Sequence, residues 1–343
     1  MLVSEVGEFG LISLLTKEFG IQYPPTRRGG VSQGDLRVGL GDDAVVAARR
    51  DGSLILTTDT MVAGVHFLPE RCKWLDVGWK ALAVNLSDIA AMGGTPHLAL
   101  VTLCLPADFC VEDAVELYRG LHECATAFEV TLGGGDIVRS PVFSITVALS
   151  GWALLPRLGE ARVLTRDAAR PGDVVAVSGN LGDSAGGVRL LRQGAAFRKK
   201  AEQRLRDAQQ RPQPRVELGR EAVRAGLRCA IDVSDGLVQD LGHVATASGV
   251  GIRVDAVRVP TSATLREVFP AEAFGLAISG GEDYELLLIG PRQAVEGLID
   301  TSKTPLTEIG EVYERHAPHV AIVDESGREI PLPRGGWDHF ASP

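Results

Sequence analysis

Apolar residues return at helical spacing near the start of the chain. Phe9, Ile12, Leu15 and Phe19 lie three or four positions apart and predict a helix over 8–19. The stretch 23–35 is rich in Pro, Gly and Arg and reads as a loop. Short apolar runs predict strands at 44–48 and 54–58. Amphipathic stretches predict helices over 74–92 and 111–128, with a buried strand between them at 97–105 and an alternating one at 143–149. Around 153–161 the pattern dissolves into Pro and Gly, which places a domain boundary there and divides the chain into 1–155 and 156–343. Beyond the turn Pro171-Gly172-Asp173, strands are expected at 174–178, 230–233, 251–254 and 284–289, with a C-terminal strand pair near 308–331. Helices are expected over 184–193, 196–209, 215–225 and 235–248, the last stopped by Gly249 as its C-cap. The fold class is α+β (mixed α/β), in two domains.

Charge narrows the range of partners. The net charge is −9, yet residues 189–228 hold 12 basic and 4 acidic side chains, so the rest of the chain stands at −17. Strong acidity argues against nucleic acid and suits a protein that gathers divalent cations. The basic stretch reads as a solvated helical face, because acidic residues are interspersed and aromatics are scarce. Cys72, Cys104, Cys110, Cys124 and Cys229 are odd in number and form no C-x-x-C pair, so neither a disulfide framework nor a zinc ribbon is expected. The first ten residues lack the basic, then apolar, profile of a signal peptide. No apolar run nears the roughly 18 residues of a membrane span. Reduced thiols and a cytoplasmic location follow as expectations.

The candidate chemistry begins with absences. No Gly-Lys pair, no G-x-G-x-x-G and no H-E-x-x-H occurs, which removes the Walker A loop, the dinucleotide and protein-kinase glycine loops and the zinc-protease helix. In their place stand six carboxylate-tipped motifs read as turns: Gly41-Asp42-Asp43, Thr57-Thr58-Asp59, Asn85-Leu86-Ser87-Asp88, Gly133-Gly134-Gly135-Asp136, Asp232-Val233-Ser234-Asp235-Gly236 and Gly280-Gly281-Glu282-Asp283. Converging Asp side chains repel one another and coexist by binding cations or by shifting pKa. Hard oxygen donors, with neither His nor Cys clustered, point to several Mg²⁺ ions rather than zinc or copper. Some motifs admit two readings. Gly41-Asp42-Asp43 is a turn or a ligand pair, and Ser178-Gly179-Asn180-Leu181-Gly182-Asp183 is an anion nest or a strand-to-helix connection capped by Asp183. His66 is structural or part of a site, and Trp337 stacks a ligand ring or pins the tail to the core.

The motifs 41–44, 57–67, 80–93, 134–136, 164–166, 232–237 and 279–285, together with Gly7-Glu8-Phe9 and Trp337-Asp338-His339-Phe340, resemble in order those of the thiamine-monophosphate kinase family, over nearly the whole chain. That family shares a superfamily with aminoimidazole ribonucleotide synthetase and selenophosphate synthetase. The resemblance implies an N-terminal sheet domain that binds ATP and Mg²⁺ and forms a homodimer, followed by a C-terminal α/β domain of aminoimidazole-ribonucleotide-synthetase type. It implies Asp43, Thr57, Thr58, Asp59, Asp88, Asp136, Asp232 and Asp235 as metal ligands, with Asp42 as the substitute for Asp43. It implies ATP contacts from Tyr118, Gly135, Asp136, Arg166 and Ser234, and contacts to thiamine monophosphate from His66, Glu282 and Trp337. No general base is implied, since the acceptor phosphate brings its own charge. The alternatives are a superfamily enzyme with another acceptor or a non-catalytic nucleotide-binding module. Selenophosphate synthetase is disfavoured because the N-terminal region lacks a reactive Cys with a neighbouring Lys.

Overall fold

Strand alternation and helical periodicity are both visible in the computed structural model, which describes residues 1–18, 36–38, 46–47, 53–154 and 162–331. The chain separates into two units, Met1–Ile89 with Thr95–Trp152, and Ala90–Gly94 with Ala153–Pro343.

The first unit runs α1 (Val3–Glu18), β1 (Leu36–Val38), β2 (Val46–Ala47), β3 (Leu54–Val62), α2 (Trp74–Ala91), β4 (Thr95–Leu105), α3 (Val111–Ala127), β5 (Thr131–Arg139) and β6 (Ser144–Trp152). Four strands form one sheet in the order β3-β6-β4-β5. β6 pairs antiparallel with β3 and β4, whereas β4 and β5 run parallel and need α3 as their crossover. One face is core: Ile55, Met61, Ala99, Val101, Leu103, Ile145, Val147 and Leu149 are buried together with Leu82, Leu86 and Ile89 of α2 and Leu117 and Leu121 of α3. The two helices approach until backbones touch. A Cβ on Gly78 would lie 1.9 Å from Leu117 O, and one on Gly120 would lie 1.8 Å from Leu75 O, so both positions demand glycine. Phe67, Trp74, Phe109 and Phe143 close one end in tilted, stacked and edge-on contacts of 4.7–5.8 Å. The opposite sheet face carries exposed apolar side chains among its threonines, with Leu54 50% and Leu56 71% exposed and Leu100 and Val138 also exposed.

The second unit contains β7 (Val174–Ser178), α4 (Asp183–Arg192), α5 (Lys200–Gln210), α6 (Val216–Arg224), β8 (Cys229–Asp232), α7 (Leu237–Ser248), β9 (Gly251–Asp255), a 3-10 turn (Ala256–Arg258), α8 (Ala263–Val268), α9 (Ala273–Ser279), β10 (Leu286–Gly290), α10 (Arg292–Thr301), β11 (Leu306–Tyr313) and β12 (His319–Val323). Its six-stranded sheet has the order β12-β9-β11-β7-β10-β8. β12 runs parallel to β9, and the other pairs are antiparallel. β7 and β10 are buried at every residue, which matches their unbroken apolar runs. Leu237, Leu241 and Val244 of α7 pack onto Val175, Val177, Ile231, Ile252, Leu287 and Ile322. A smaller cluster of Leu190, Leu205, Leu265 and Ala273 joins α4, α5, α8 and α9.

Several elements differ from the sequence expectation. Asn85–Asp88 lies inside α2, as the helix expected over 74–92 implies, and β3 continues past the expected 58 to Val62, so Asp59 too is in the strand; the Gly133–Asp136 run, read as a turn, lies inside β5. The glycines of β5 serve close approach instead: a Cβ on Gly135 would fall 1.7 Å from Val101 O of β4. The first helix begins at Val3, not at 8, because Val3 N–H donates to Phe109 O and Val111 N–H to Met1 O, tying down the terminus. α5 starts at Lys200, after the positive φ of Gly194 and Phe197. β10 starts at Leu286 because Glu282 and Tyr284 have φ of 66° and 52°. α8, α9 and α10 have 6, 7 and 10 residues, too short for periodicity to declare them. The C-terminal strands do not pair with each other; β11 and β12 flank β9. The segment 23–35 lies outside the described residues.

Candidate active site

The first group of expected ligands stands on β3 and α2. Along β3, Ile55, Thr57, Asp59 and Met61 alternate onto the helix-covered face, while Leu54, Leu56, Thr58 and Thr60 take the open one. α2 is so apolar that its polar residues stand out: Lys80, Asn85 and Ser87 are buried and Asp88 is half-buried. Thr57 Oγ1 donates a short hydrogen bond to Asp88 Oδ2. Such charge-assisted bonds contribute about 2 kcal/mol. Asn85 Nδ2 donates to Ala81 O at 3.0 Å, and its buried Oδ1 has no hydrogen-bond partner. The structure therefore brings Thr57 and Asp88 together, with Asp59 one strand position along the same face. Thr58 is exposed on the other face. Asp136 is not brought to them. It pairs in register with Thr102, which pairs with Thr146, which pairs with Thr60. Three strand spacings, roughly 14 Å, separate Asp136 from β3.

His66 follows β3 in a turn opened by Gly64 at φ 81°. Its Nδ1 accepts the Val62 N–H at 3.0 Å, which leaves Nε2 as the protonated nitrogen of the neutral ring. Tyr118 sits half-buried on α3, and burial pushes its phenol up to about 12.

The second group lies on two loops stitched by backbone. Asp232 ends β8 and is buried. After it, the N–H groups of Ser234, Asp235 and Gly236 converge on Asp240 Oδ2 at 3.1, 3.1 and 3.0 Å. Burial, then the charges of Asp232 and Asp235, raise the Asp240 carboxyl to about 7. Gln239 Nε2 donates to Asp235 Oδ2 at 3.0 Å. Ligand atoms of Asp235, Asp240 and His243 lie within 4.8 Å of one another. The segment 280–285 runs alongside: Glu282 N–H donates to Ser234 O at 2.8 Å and Tyr284 N–H to Val233 O at 2.9 Å, while Val233 N–H donates to Glu285 O at 2.8 Å. Asp232, Ser234, Asp235 and Glu282 are thereby brought together. Asp283 is half-buried and accepts from Gly182 N–H at 2.6 Å and Ser184 N–H at 3.2 Å, and desolvation holds its carboxyl well above the usual range. The Ser178–Asp183 loop thus receives a protein carboxylate at the start of α4. Arg166 is exposed, and its carbonyl accepts from Ser248 Oγ at 2.8 Å. Asp42, Asp43 and Trp337 lie outside the described residues.

Asp240 and His243 were not anticipated from sequence. The available signal was their i, i+3 spacing one turn into a helix that opens after Asp235. The donor set is dominated by hard oxygen, as divalent cations bridging phosphates require.

Comparison with known proteins extends this picture. Residues 41–153 match the family model for the AIR synthase related protein, N-terminal domain, and residues 170–323 match that for its C-terminal domain. The thiamine-monophosphate kinase of Escherichia coli is 39% identical over 318 residues, covering 90% of this chain and 94% of its own. A crystal structure of thiamine-monophosphate kinase from Stenotrophomonas maltophilia superposes with a TM-score of 0.77 at 38% identity, covering 90% of this chain and 95% of that one. A further structure, AaThiL complexed with AMPPCP and TMP, superposes with a TM-score of 0.74 at 33% identity over 99% of both chains.

Proposed function

The chain belongs to the thiamine-monophosphate kinase family, and we propose that it moves the γ-phosphoryl group of ATP onto the phosphate of thiamine monophosphate, giving ADP and thiamine diphosphate. The observation that carries this reading is the similarity, end to end, to a structure holding an ATP analogue and TMP. The test is ADP release with and without thiamine monophosphate, with the product identified. Thiamine diphosphate formed one-for-one with ADP is expected; ADP without diphosphate would overturn the acceptor.

A monoester phosphate has its second pKa near 6, so at neutral pH the acceptor is mostly dianionic and attacks without a general base. Its oxygen bonds to the γ-phosphorus as the bond to the β–γ bridging oxygen breaks, and ADP leaves with that electron pair. The difficulty is charge. Mg²⁺ supplies neutralisation and orientation of both polyanions when bound. Thr57, Asp59 and Asp88 fit it with oxygen donors on a rigid frame, and Asp232 and Asp235 fit it as carboxylates crowded beside Asp240, whose carboxyl their charges raise. Thr58, Asp136 and Asp43 complete the proposed ligand set. Arg166 meets ATP phosphate charge, with Tyr118, Gly135, Asp136 and Ser234 around the nucleotide. His66, through Nε2, Glu282 and Trp337 hold the acceptor, whose cationic ring suits a carboxylate and an aromatic face.

In the same reading the first unit, 1–155, binds ATP and Mg²⁺ and dimerises, and 156–343 is the C-terminal domain. A second copy covers the open apolar face around Leu54, Leu56, Leu100 and Val138. Asp136, on the edge strand and in register with Thr60 of that open face, then serves a site shared with the other copy. Leu56→Asp should yield a folded monomer with turnover lost; a dimer by sedimentation would count against this face. No helix among the described residues is long and apolar enough to cross a membrane, and the reading places the enzyme in the cytoplasm.

A further inference from the structure

Glu285, at the end of the 282–285 run, enters a strong ion pair. Its side chain is 8% exposed, and Arg215, 28% exposed, grips it as a fork: Nε donates to Oε2 at 2.7 Å and Nη2 donates to Oε1. Ser178 Oγ donates to the same Oε2 and accepts the Leu286 N–H at 2.9 Å. Gly179, at φ 58°, makes room for the carboxylate, since a Cβ there would stand 2.1 Å from Oε1. Two residues earlier, Asp283 is fastened to Gly182 and Ser184. The backbone between and before these anchors is strained, with Glu282 and Tyr284 both at positive φ. Non-glycine residues hold such conformations when their surroundings over-determine them. Here the anchors are Asp283 on one loop and Glu285 on Arg215.

Charge makes Arg215 the critical member. Glu285 lies near enough to Asp183 and Asp283 to raise both of their carboxyls. Without the guanidinium, a buried carboxylate would stand uncompensated among others of its sign. A lysine supplies the charge but not the planar two-point grip.

We propose that Arg215 is a positioning residue for the acceptor: through Glu285 it fixes the strained Glu282–Tyr284 turn and so sets affinity for thiamine monophosphate without touching it. This rests on the reading of Glu282 as an acceptor contact. Arg215→Met and Arg215→Lys of the full chain are compared with the parent enzyme, varying thiamine monophosphate and ATP separately and following amide hydrogen exchange across 279–286. The methionine variant should raise KM for thiamine monophosphate at least about tenfold and leave KM for ATP within about twofold. It should also speed exchange at Glu282 and Tyr284 without altering α10. The lysine variant should recover part of each effect. An equal rise in both KM values, or a lower Tm with both KM values unchanged, overturns the proposal. Should the methionine variant not fold, Ser178→Ala removes one neutral donor from the same carboxylate. It should shift the acceptor KM in the same direction by less, and no shift would overturn the proposal. If the parent enzyme forms no thiamine diphosphate, the acceptor reading fails by itself, and unchanged exchange at 279–286 in the variants would separately sink the role of Arg215.

Discussion

The two groups of site residues are built in opposite ways. In the first unit the oxygen donors sit in the middle of a strand and a helix, with Thr57 and Asp88 bonded to each other across a packed interface. In the second they sit on two loops whose backbones donate to one another and whose carboxylates crowd together. A donor on a regular element inherits its position from the whole core. A donor on stitched loops depends on a few hydrogen bonds and on tolerated strain.

The largest effect should come from the rigid group. Asp88→Asn keeps the shape of the side chain but removes its charge, and turnover should fall on the order of 100- to 1,000-fold with Tm changed by a few degrees at most. Steady-state kinetics beside thermal melting tests this, and retained turnover would remove Asp88 from the site. Gly135→Ala should strike stability next. Its Cβ would meet Val101 O at 1.7 Å between paired strands, and neither backbone can yield without opening the sheet. A loss of roughly 2–4 kcal/mol in chemical denaturation is expected. Gly281→Ala is the matched probe of the loops, its Cβ falling 2.3 Å from Ser234 O. Loops can part where strands cannot, so KM for the acceptor should rise several-fold while Tm moves little. Equal destabilisation by the two alanines would erase the contrast.

The smallest effect is a pH dependence. Asp283 has its carboxyl raised well above the ordinary value by desolvation. The native state therefore holds its proton more tightly than the unfolded chain. This contribution to stability is fully present below the ordinary carboxylate range and declines as pH rises towards the raised value. Asp283→Asn cannot ionise and keeps only one of the two oxygens that accept from Gly182 and Ser184, a loss that does not depend on pH. Relative to the parent, the variant should gain stability between pH 5 and pH 8, read from denaturation midpoints. A constant difference across that range would show that the carboxyl is not strained there.

How much of this was legible in the sequence follows the same division. β7 was readable to the residue, because a strand buried on both faces is a run of apolar side chains ended by a polar one. The end of α7 was readable because Gly249 takes the left-handed conformation that stops a helix. The acidic motifs were legible as chemistry and only partly as structure: the strand holding Thr57 and Thr58 was readable, but the Gly133–Asp136 run carries turn-like residues and yet lies in a strand, where cross-strand pairing overrides local preference. The Thr57–Asp88 bond joins residues 31 apart and the Arg215–Glu285 fork residues 70 apart, and no local pattern announces either. Nor does the split of Asp136 from β3, which is a property of strand order rather than of spacing.

The strand order of the second unit also has a consequence for synthesis. β7 lies at the centre of its sheet, but its neighbours β10 and β11 are made far later, with Val177 opposite Leu287 and Thr307. At translation speeds of about 5–20 residues per second, the 110 residues between Val177 and Leu287 take roughly 6–20 s to emerge. For most of that interval a strand of four apolar residues ended by Ser178 waits with neither edge paired. It is the segment that a nascent-chain chaperone would be best placed to shield.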